Sequence, residues 1–303
     1  MNMHVTPFDW RSEFYRLEGA YAPSTMRAYY SDVQAFVDWC QKLGHPPFPA
    51  DVNTVCAFIE DQGREKSAST VRRRLYAIRK IHRLLRLEDP TYDEDINLSL
   101  RRVRRSKLTR PKQARGITAD DLELFLASEP DTATGLRNRA MMALGFELLT
   151  RRSELVVLRD EDLTFRTDGT LQVIVRRSKA DPFGQGRIAF TSRRTAELIA
   201  CWQAWRGSEI AWLFCPIYKN KPINRELETT TVRRMIKAAA VRSGYTDFDA
   251  QEFSGHSLRV GAAQELLKRG HDTAAIMRAG GWKSVQVLAR YLEKAEHNVW
   301  NQV

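Results

Sequence analysis

His256, Arg259, Trp282 and Tyr291 lie close together near the end of a 303-residue chain, and their types suit one reaction, attack on a phosphodiester. A phosphodiester carries a full negative charge that repels nucleophiles, so cleavage without a metal calls for fixed cations and hydrogen-bond donors around the phosphate oxygens. Arginine answers this best, because its planar fork can hold two oxygens at once and keeps its charge. In Ser254-Gly-His256-Ser-Leu-Arg259 the His and Arg stand at i and i+3, so a helix that begins near Ser254-Gly255 puts both on one face of its first turn. Backbone N–H groups and the positive dipole end favour an anion at the same place. Trp282 adds an indole N–H donor. The Tyr291 hydroxyl can act as nucleophile and hold a covalent phosphoryl intermediate, conserving bond energy for rejoining without ATP. Each piece alone is weak: a His-x-x-Arg arises often by chance, and a lone tyrosine three residues after Leu288 is ordinarily a core or boundary residue. The joint spacing is the signal, with Trp282 23 residues after Arg259 and Tyr291 nine after Trp282.

The elements that must position these groups are mostly helical. Residues 134–150, 192–206 and 226–244 have helical periodicity, and Thr118-Ala-Asp-Asp121 is a capping box that opens another helix. Between them Leu171-Gln-Val-Ile-Val-Arg-Arg alternates as a strand, residues 178–186 form a turn, and Arg187-Ile-Ala-Phe-Thr resumes a strand. At the end of the chain Leu292, Ala295, Val299 and Val303 recur at near-helical spacing, an apolar stripe that needs a surface to cover it in cis or in trans.

The first third is helical too. Pro23-Ser-Thr-Met starts a helix with Ser24 as candidate cap, running to Gly44; a second follows Pro49-Ala-Asp51. A third begins after Ser67-Ala-Ser-Thr70, where Val71, Leu75, Ile78, His82 and Leu85 form one face and Arg72, Arg79, Arg83 and Arg86 another. No acid interrupts residues 71–87, so this cationic stripe is expected to track a phosphate backbone or enter a major groove. Residues 101–115 then hold eight basic side chains and no acid, among them Arg101, Arg102, Arg104 and Arg105, with Pro111 inside. We expect a basic linker over 101–116 between domains at 1–100 and 117–303. In the second domain Thr230, Thr231, Arg233, Arg234 and Lys237 are the polar members of the 226–244 helix, which makes it a second candidate reader of bases.

The segment from Ser254 to Ala263 resembles the His-x-x-Arg box of the tyrosine recombinase, or phage integrase, family, and Leu149-Thr-Arg151-Arg-Ser-Glu154-Leu resembles that family's first box. The resemblance implies a mainly α protein with a small β-sheet: an all-helical N-terminal core-binding domain and a mixed α/β catalytic domain that meet a DNA duplex from opposite sides. It implies Tyr291 as nucleophile, Arg151, Arg259, His256 and Trp282 around the phosphate, Glu154 as supporting acid, and Lys179, on the hairpin between the strands, as general acid for the leaving 5′ oxygen. It further implies no cofactor and no metal, an inverted-repeat DNA site, and a homotetramer on two paired sites, with accessory proteins unspecified. Two positions depart from the usual pattern: many relatives have Gly where this chain has Leu149, and most have a second histidine where it has Trp282. An indole can donate to phosphate but cannot shuttle a proton, so proton transfer from Tyr291 falls to His256 or water.

Composition agrees. The 48 Lys+Arg against 37 Asp+Glu give a net charge of +11, which favours a polyanionic partner. Residues 1–115 carry 21 basic and 14 acidic side chains, so the shorter first part is the more basic. Cys40, Cys56, Cys201 and Cys215 are far apart with no Cys-x-x-Cys, a pattern of reduced thiols rather than disulfides or zinc. With no signal peptide and no apolar run long enough for a membrane span, a cytoplasmic protein is expected. The competing readings are a type IB topoisomerase, against which the dedicated N-terminal lobe argues, and a non-catalytic DNA-binding protein on the same scaffold.

Overall fold

The computed structural model describes residues 9–107, 113–176 and 186–295. The chain falls into two compact units, Met1–Pro111 and Lys112–Val303, divided inside the basic run.

The first unit contains the helices α1 (Trp10–Phe14), α2 (Pro23–Leu43), α3 (Val52–Glu65), α4 (Ala68–Leu84) and α5 (Glu94–Ser106). Asp51 caps α3 by accepting from the Thr54 N–H at 2.6 Å, and Ser67 caps α4 by accepting from that of Thr70 at 3.2 Å. The expected cap of α2 is corrected: Ala22 is the N-cap, Pro23 occupies the first turn and Ser24 lies inside the helix. Gly44 ends α2 in the left-handed conformation. Phe36, Phe58, Ile59, Ile78 and Ile81 make the core of this unit. Asp32 is buried on α2 and accepts from Arg73 of α4 at 2.7 Å, tying the two helices together.

Two expectations change here. The cationic stripe stops at Arg83, because α4 ends at Leu84 and Arg86 takes a left-handed φ of 57°, out of helical register. The linker expected from residue 101 is still helix up to Ser106. Asp93 caps α5, and Ile96, Ser99 and Val103 are buried at helical spacing while Arg101, Arg102, Arg104 and Arg105 stay exposed. Gly63 lets Val103 approach, since a Cβ there would come within 2.5 Å of it.

The second unit contains α6 (Ala119–Ser128), α7 (Ala133–Glu147), α8 (Arg152–Leu155), α9 (Arg193–Arg206), α10 (Thr229–Arg242), α11 (Asp247–Ala250), α12 (Ser257–Lys268), α13 (Thr273–Gly280) and α14 (Val285–Leu292). Strands β1 (Leu163–Phe165), β2 (Leu171–Val175) and β3 (Arg187–Phe190) form an antiparallel sheet in that order, with Val173 opposite both Leu163 and Ala189. A short pair, β4 (Ile217–Tyr218) and β5 (Lys221–Pro222), precedes α10. The Thr118 and Asp121 capping box forms as the sequence indicates, whereas α10 starts at Thr229 rather than near Glu226. Every residue from Ala140 to Phe146 is buried, so α7 is the central helix on which α6, α9 and α12 pack. The C-terminal stripe is not one helix within the described residues: α14 ends at Leu292 and Ala295 sits in a turn, donating its N–H to the Leu292 carbonyl at 2.8 Å. Val299 and Val303 lie outside the described residues. No described helix is long and apolar enough to cross a membrane.

His82 is fully buried, accepting at Nε2 from the Ala50 N–H at 3.1 Å while Nδ1 faces the Ile78 carbonyl at 2.9 Å. The ring is therefore the neutral Nδ1–H tautomer, and burial holds its pKa below the ordinary 6.5. In the unfolded chain the ring protonates near 6.5, so stability is full above that pH and falls as pH drops below it, toward the folded pKa. Urea unfolding of this unit at pH 7.5 and 5.5 is expected to show the loss, and His82→Gln, which can still accept from Ala50, to lessen it. An unchanged slope in the variant refutes this assignment.

Candidate active site

The site is built on three turns of the second unit. The first is the end of α7, where Leu149 takes a left-handed φ of 48° although it is a buried leucine. Such a conformation costs an L-residue roughly 1 kcal/mol, and here burial of the side chain offsets the cost. The turn brings the next residues back into α8. Arg151 is its N-cap, donating its backbone N–H to Glu154 Oε2 at 3.0 Å and its guanidinium to Glu154 Oε1 at 2.5 Å. The Glu154 side chain is 1 % exposed and that of Arg151 17 %, so the carboxylate fixes the guanidinium from beneath and leaves one edge open.

The second turn is the start of α12. Ser257 Oγ accepts from the Ser254 N–H at 2.8 Å and Ser254 Oγ from the His256 N–H at 3.1 Å, which sets His256 as N-cap at the exposed mouth of the site. Arg152 lies beside it: a Cβ on Gly255 would meet the Arg152 side chain at 2.8 Å. Desolvation where the ring faces protein, followed by the charges of Arg152, Arg259 and Arg151, holds the His256 imidazole below its ordinary pKa. One turn on, Arg259 is fully buried. Its Nη1 donates to the Leu149 carbonyl, but Nε and Nη2 have no partner among the described residues. Burial, then the charge of Arg151, pull this guanidinium down to about 10, still a cation at neutral pH.

The third turn joins α13 to α14. Gly281 adopts a left-handed φ of 68°, and a Cβ on Gly280 would fall 1.9 Å from the Trp282 ring, so the double glycine is what lets the indole fold back. The Arg259 guanidinium carbon lies 3.8 Å from the Trp282 ring centroid and 5.7 Å from that of Tyr291; the two rings meet edge to face at 5.1 Å. Trp282 Nε1 is likewise buried with no partner among the described residues. Arg151, Glu154, His256, Arg259, Trp282 and Tyr291 thus converge from three turns, while Lys179 lies outside the described residues.

Arg187 and Arg152 belong to this neighbourhood and were not among the residues expected there. Arg187 of β3 donates Nη1 to the Ala279 carbonyl at 2.6 Å and Nη2 to the Leu148 carbonyl, joining the first turn to the third. Burial and the nearby Arg151 lower its pKa, against the pull of Glu154. Its sequence neighbours suggest only a strand residue, since its partners are backbone carbonyls.

The residues expected to contact DNA lie on separate elements. On α4, Arg72 donates to the Tyr76 hydroxyl at 2.9 Å, Arg79 to Thr91 Oγ1 at 2.8 Å and Arg83 to Asp89 at 3.2 Å. Arg79 also lies 4.2 Å from the Tyr92 ring centroid, so tyrosines interleave the stripe while Arg72 and Arg83 stay exposed. Arg102 of α5 faces Glu60 at 3.5 Å. On α10, Thr230, Arg233 and Arg234 are exposed and Thr231 is half-buried, with Arg234 donating to its hydroxyl at 3.4 Å.

Arg187→Met is expected to leave two carbonyls unpaired and to destabilise the second unit by about 2–4 kcal/mol, read by denaturant unfolding. Arg187→Lys, which cannot span both carbonyls, is expected to recover only part. Wild-type stability in the Met variant contradicts the role.

Comparison with known proteins is consistent with this geometry. The phage integrase family matches residues 115–298, and the N-terminal SAM-like domain of phage integrases matches residues 12–89. An integrase/recombinase XerD homolog of Selenomonas ruminantium is 32 % identical over 92 % of this chain and 84 % of the relative. The Cre recombinase of Escherichia phage P1, whose motif intervals this sequence resembles, is 26 % identical over 94 % and 88 %. Among solved structures, XerH site-specific recombinase bound to a palindromic difH substrate aligns with a TM-score of 0.64 at 15 % identity, covering 89 % of this chain and 76 % of that one. A lambda integrase dimer bound to a COC′ core site aligns at 0.62 and 18 %, covering 97 % of each. The chain belongs to the phage integrase family, the tyrosine recombinases that cleave and rejoin DNA.

Proposed function

We propose that this chain is a site-specific DNA recombinase that cleaves duplex DNA through a 3′-phosphotyrosine at Tyr291 and exchanges strands between two paired sites by way of a Holliday junction. The observation that carries the proposal is the set of unspent donors beside the tyrosine: Arg259 Nε and Nη2 and Trp282 Nε1 are buried with no partner among the described residues. Burying such groups is costly unless an anion satisfies them, and a phosphate presents the oxygens they need. Arg151, held by Glu154, supplies the second guanidinium.

The steps follow from these positions. The scissile phosphate lies between Arg151, Arg259 and Trp282; the Tyr291 oxygen attacks phosphorus and the 5′ oxygen of the next nucleotide leaves. Neutral His256, or water that it orders, takes the tyrosine proton, and Lys179 protonates the leaving oxygen. Attack by a 5′ hydroxyl from the partner strand reverses the steps, so the scheme uses neither metal nor nucleotide. Each chain contributes one Tyr291, whereas exchange between two duplexes needs four cleavages, which calls for four copies on two inverted-repeat sites. Phosphate contacts fall to Arg72, Arg79 and Arg83 and to Arg101, Arg102, Arg104 and Arg105; Thr230, Thr231, Arg233 and Arg234 are the second candidate readers.

The test is incubation with a pool of duplexes carrying random inverted repeats, denaturing quench, and sequencing of the DNA left attached. Tyr291→Phe is expected to bind but to leave no adduct; adducts at the wild-type rate refute the assignment. Arg151→Ala or Arg259→Ala is expected to slow adduct formation by about 10²–10³, as for loss of an oxyanion donor. Because the His256 pKa is lowered from 6.5, its ring stays neutral at pH 7 in the free protein, and the acid limb of kcat/KM, which reports that state, should lie below pH 6.5. A midpoint above 6.5, or a limb that survives His256→Gln, contradicts its role as proton acceptor.

A further inference from the structure

The backbone carbonyl of Tyr291 accepts two side-chain amides: Gln264 Nε2 of α12 at 3.0 Å and Gln113 Nε2 at 3.3 Å. Tyr291 stands in the last turn of α14, where carbonyls have no partner within the helix. A residue one position from the end of a helix is held by whatever pairs with those carbonyls, and here the partners come from two other segments.

Gln113 is the first described residue of the second unit, on the stretch by which the chain enters it. That stretch is bound closely to α12. Arg115 donates its N–H to the Glu252 carbonyl at 3.1 Å and Ile117 donates to that of Ser257, beside His256, at 3.1 Å. The chain crosses α12 glycine on glycine: a Cβ on Gly261 would stand 1.8 Å from the Ile117 carbonyl oxygen, and one on Gly116 would stand 3.0 Å from the Gly261 Cα. The same Cβ on Gly116 would meet Gln264 Oε1 at 2.5 Å, so the entering segment also confines the glutamine that holds Tyr291.

We infer that Gln264 and Gln113 are positioning residues for the nucleophile, and that the segment entering the catalytic unit is coupled through them to the placement of Tyr291. One face of Tyr291 is set by Arg259 and Trp282, and its carbonyl is set by this amide pair. Release of the amides frees the last turn of α14 and moves the hydroxyl relative to the phosphate. A displacement of about 1 Å costs roughly 10²-fold in rate, without a matching cost in DNA affinity.

The inference rests on the recombinase reading, and the test separates the two. A duplex recovered as a wild-type adduct from the random-repeat pool serves as the probe. Gln264→Met keeps the length of the side chain and removes its donor; Gln264→His restores an N–H at similar reach. Single-turnover adduct formation is expected to fall at least about tenfold in Gln264→Met with binding of the duplex within about twofold of wild type, to recover in Gln264→His, and to fall further in Gln113→Met/Gln264→Met. If wild type forms no adduct, the recombinase reading itself fails. If wild type forms adducts and Gln264→Met matches its rate, or loses affinity and rate together, or Gln264→His restores nothing, the positioning role is overturned.

Discussion

The second unit is organised around a guanidinium held away from water without a carboxylate of its own. Arg259 is fully buried; among the described residues it donates to the Leu149 carbonyl, lies against the face of Trp282 and has the charge of Glu154 nearby to favour its cationic form. Burial of a lone cation costs several kcal/mol, which a carbonyl and a π face only partly offset, and the positive end of α12 adds to the cost. Under the proposed function a phosphate supplies the missing partner, and the arrangement would then stabilise the bound and reacting states more than the free one. Much of the local backbone answers to this requirement. Leu149 is twisted into the left-handed region where its carbonyl meets Arg259; Gly280 leaves room for the indole; Arg187 joins the two turns that result.

How these groups divide the chemistry follows from their surroundings. Glu154 lies beneath Arg151, which fixes that guanidinium while leaving an edge of it exposed. His256 is at the mouth among three arginines and is held neutral, the form that can receive a proton. In the proposed mechanism the Trp282 N–H can donate but cannot shuttle, so the tyrosine proton would pass to His256 or water. The tyrosine is reached from both sides, by Arg259 and Trp282 at its ring and by two glutamine amides at its carbonyl.

That Arg151, Glu154, His256, Arg259, Trp282 and Tyr291 would gather in one place was legible in the sequence because their intervals are tight and their side chains suit one chemistry. The capping box at Thr118, the helix after Asp51 and the hairpin strands were legible from local pattern. What escaped notice acts through the backbone. Arg187 and the Gln113 and Gln264 pair bond to carbonyls, and nothing in their own neighbours marks that. The run from Arg101 read as linker because its charge dominates, although Ile96, Ser99 and Val103 continue a buried helical stripe from the Asp93 cap. Arg86 read as the end of the α4 stripe because periodicity does not reveal where a helix stops. On α4 the arginine pattern was visible, but its partnership with Tyr76, Thr91 and Tyr92 required the fold to bring residues 91 and 92 alongside.

The most direct measurement is mass spectrometry of the covalent adduct after nuclease and protease digestion. The account requires the nucleotide on the peptide that contains Tyr291, joined through its 3′ phosphate, with a free 5′ hydroxyl on the released strand. An adduct on another residue, or a 5′ linkage to Tyr291, would contradict it.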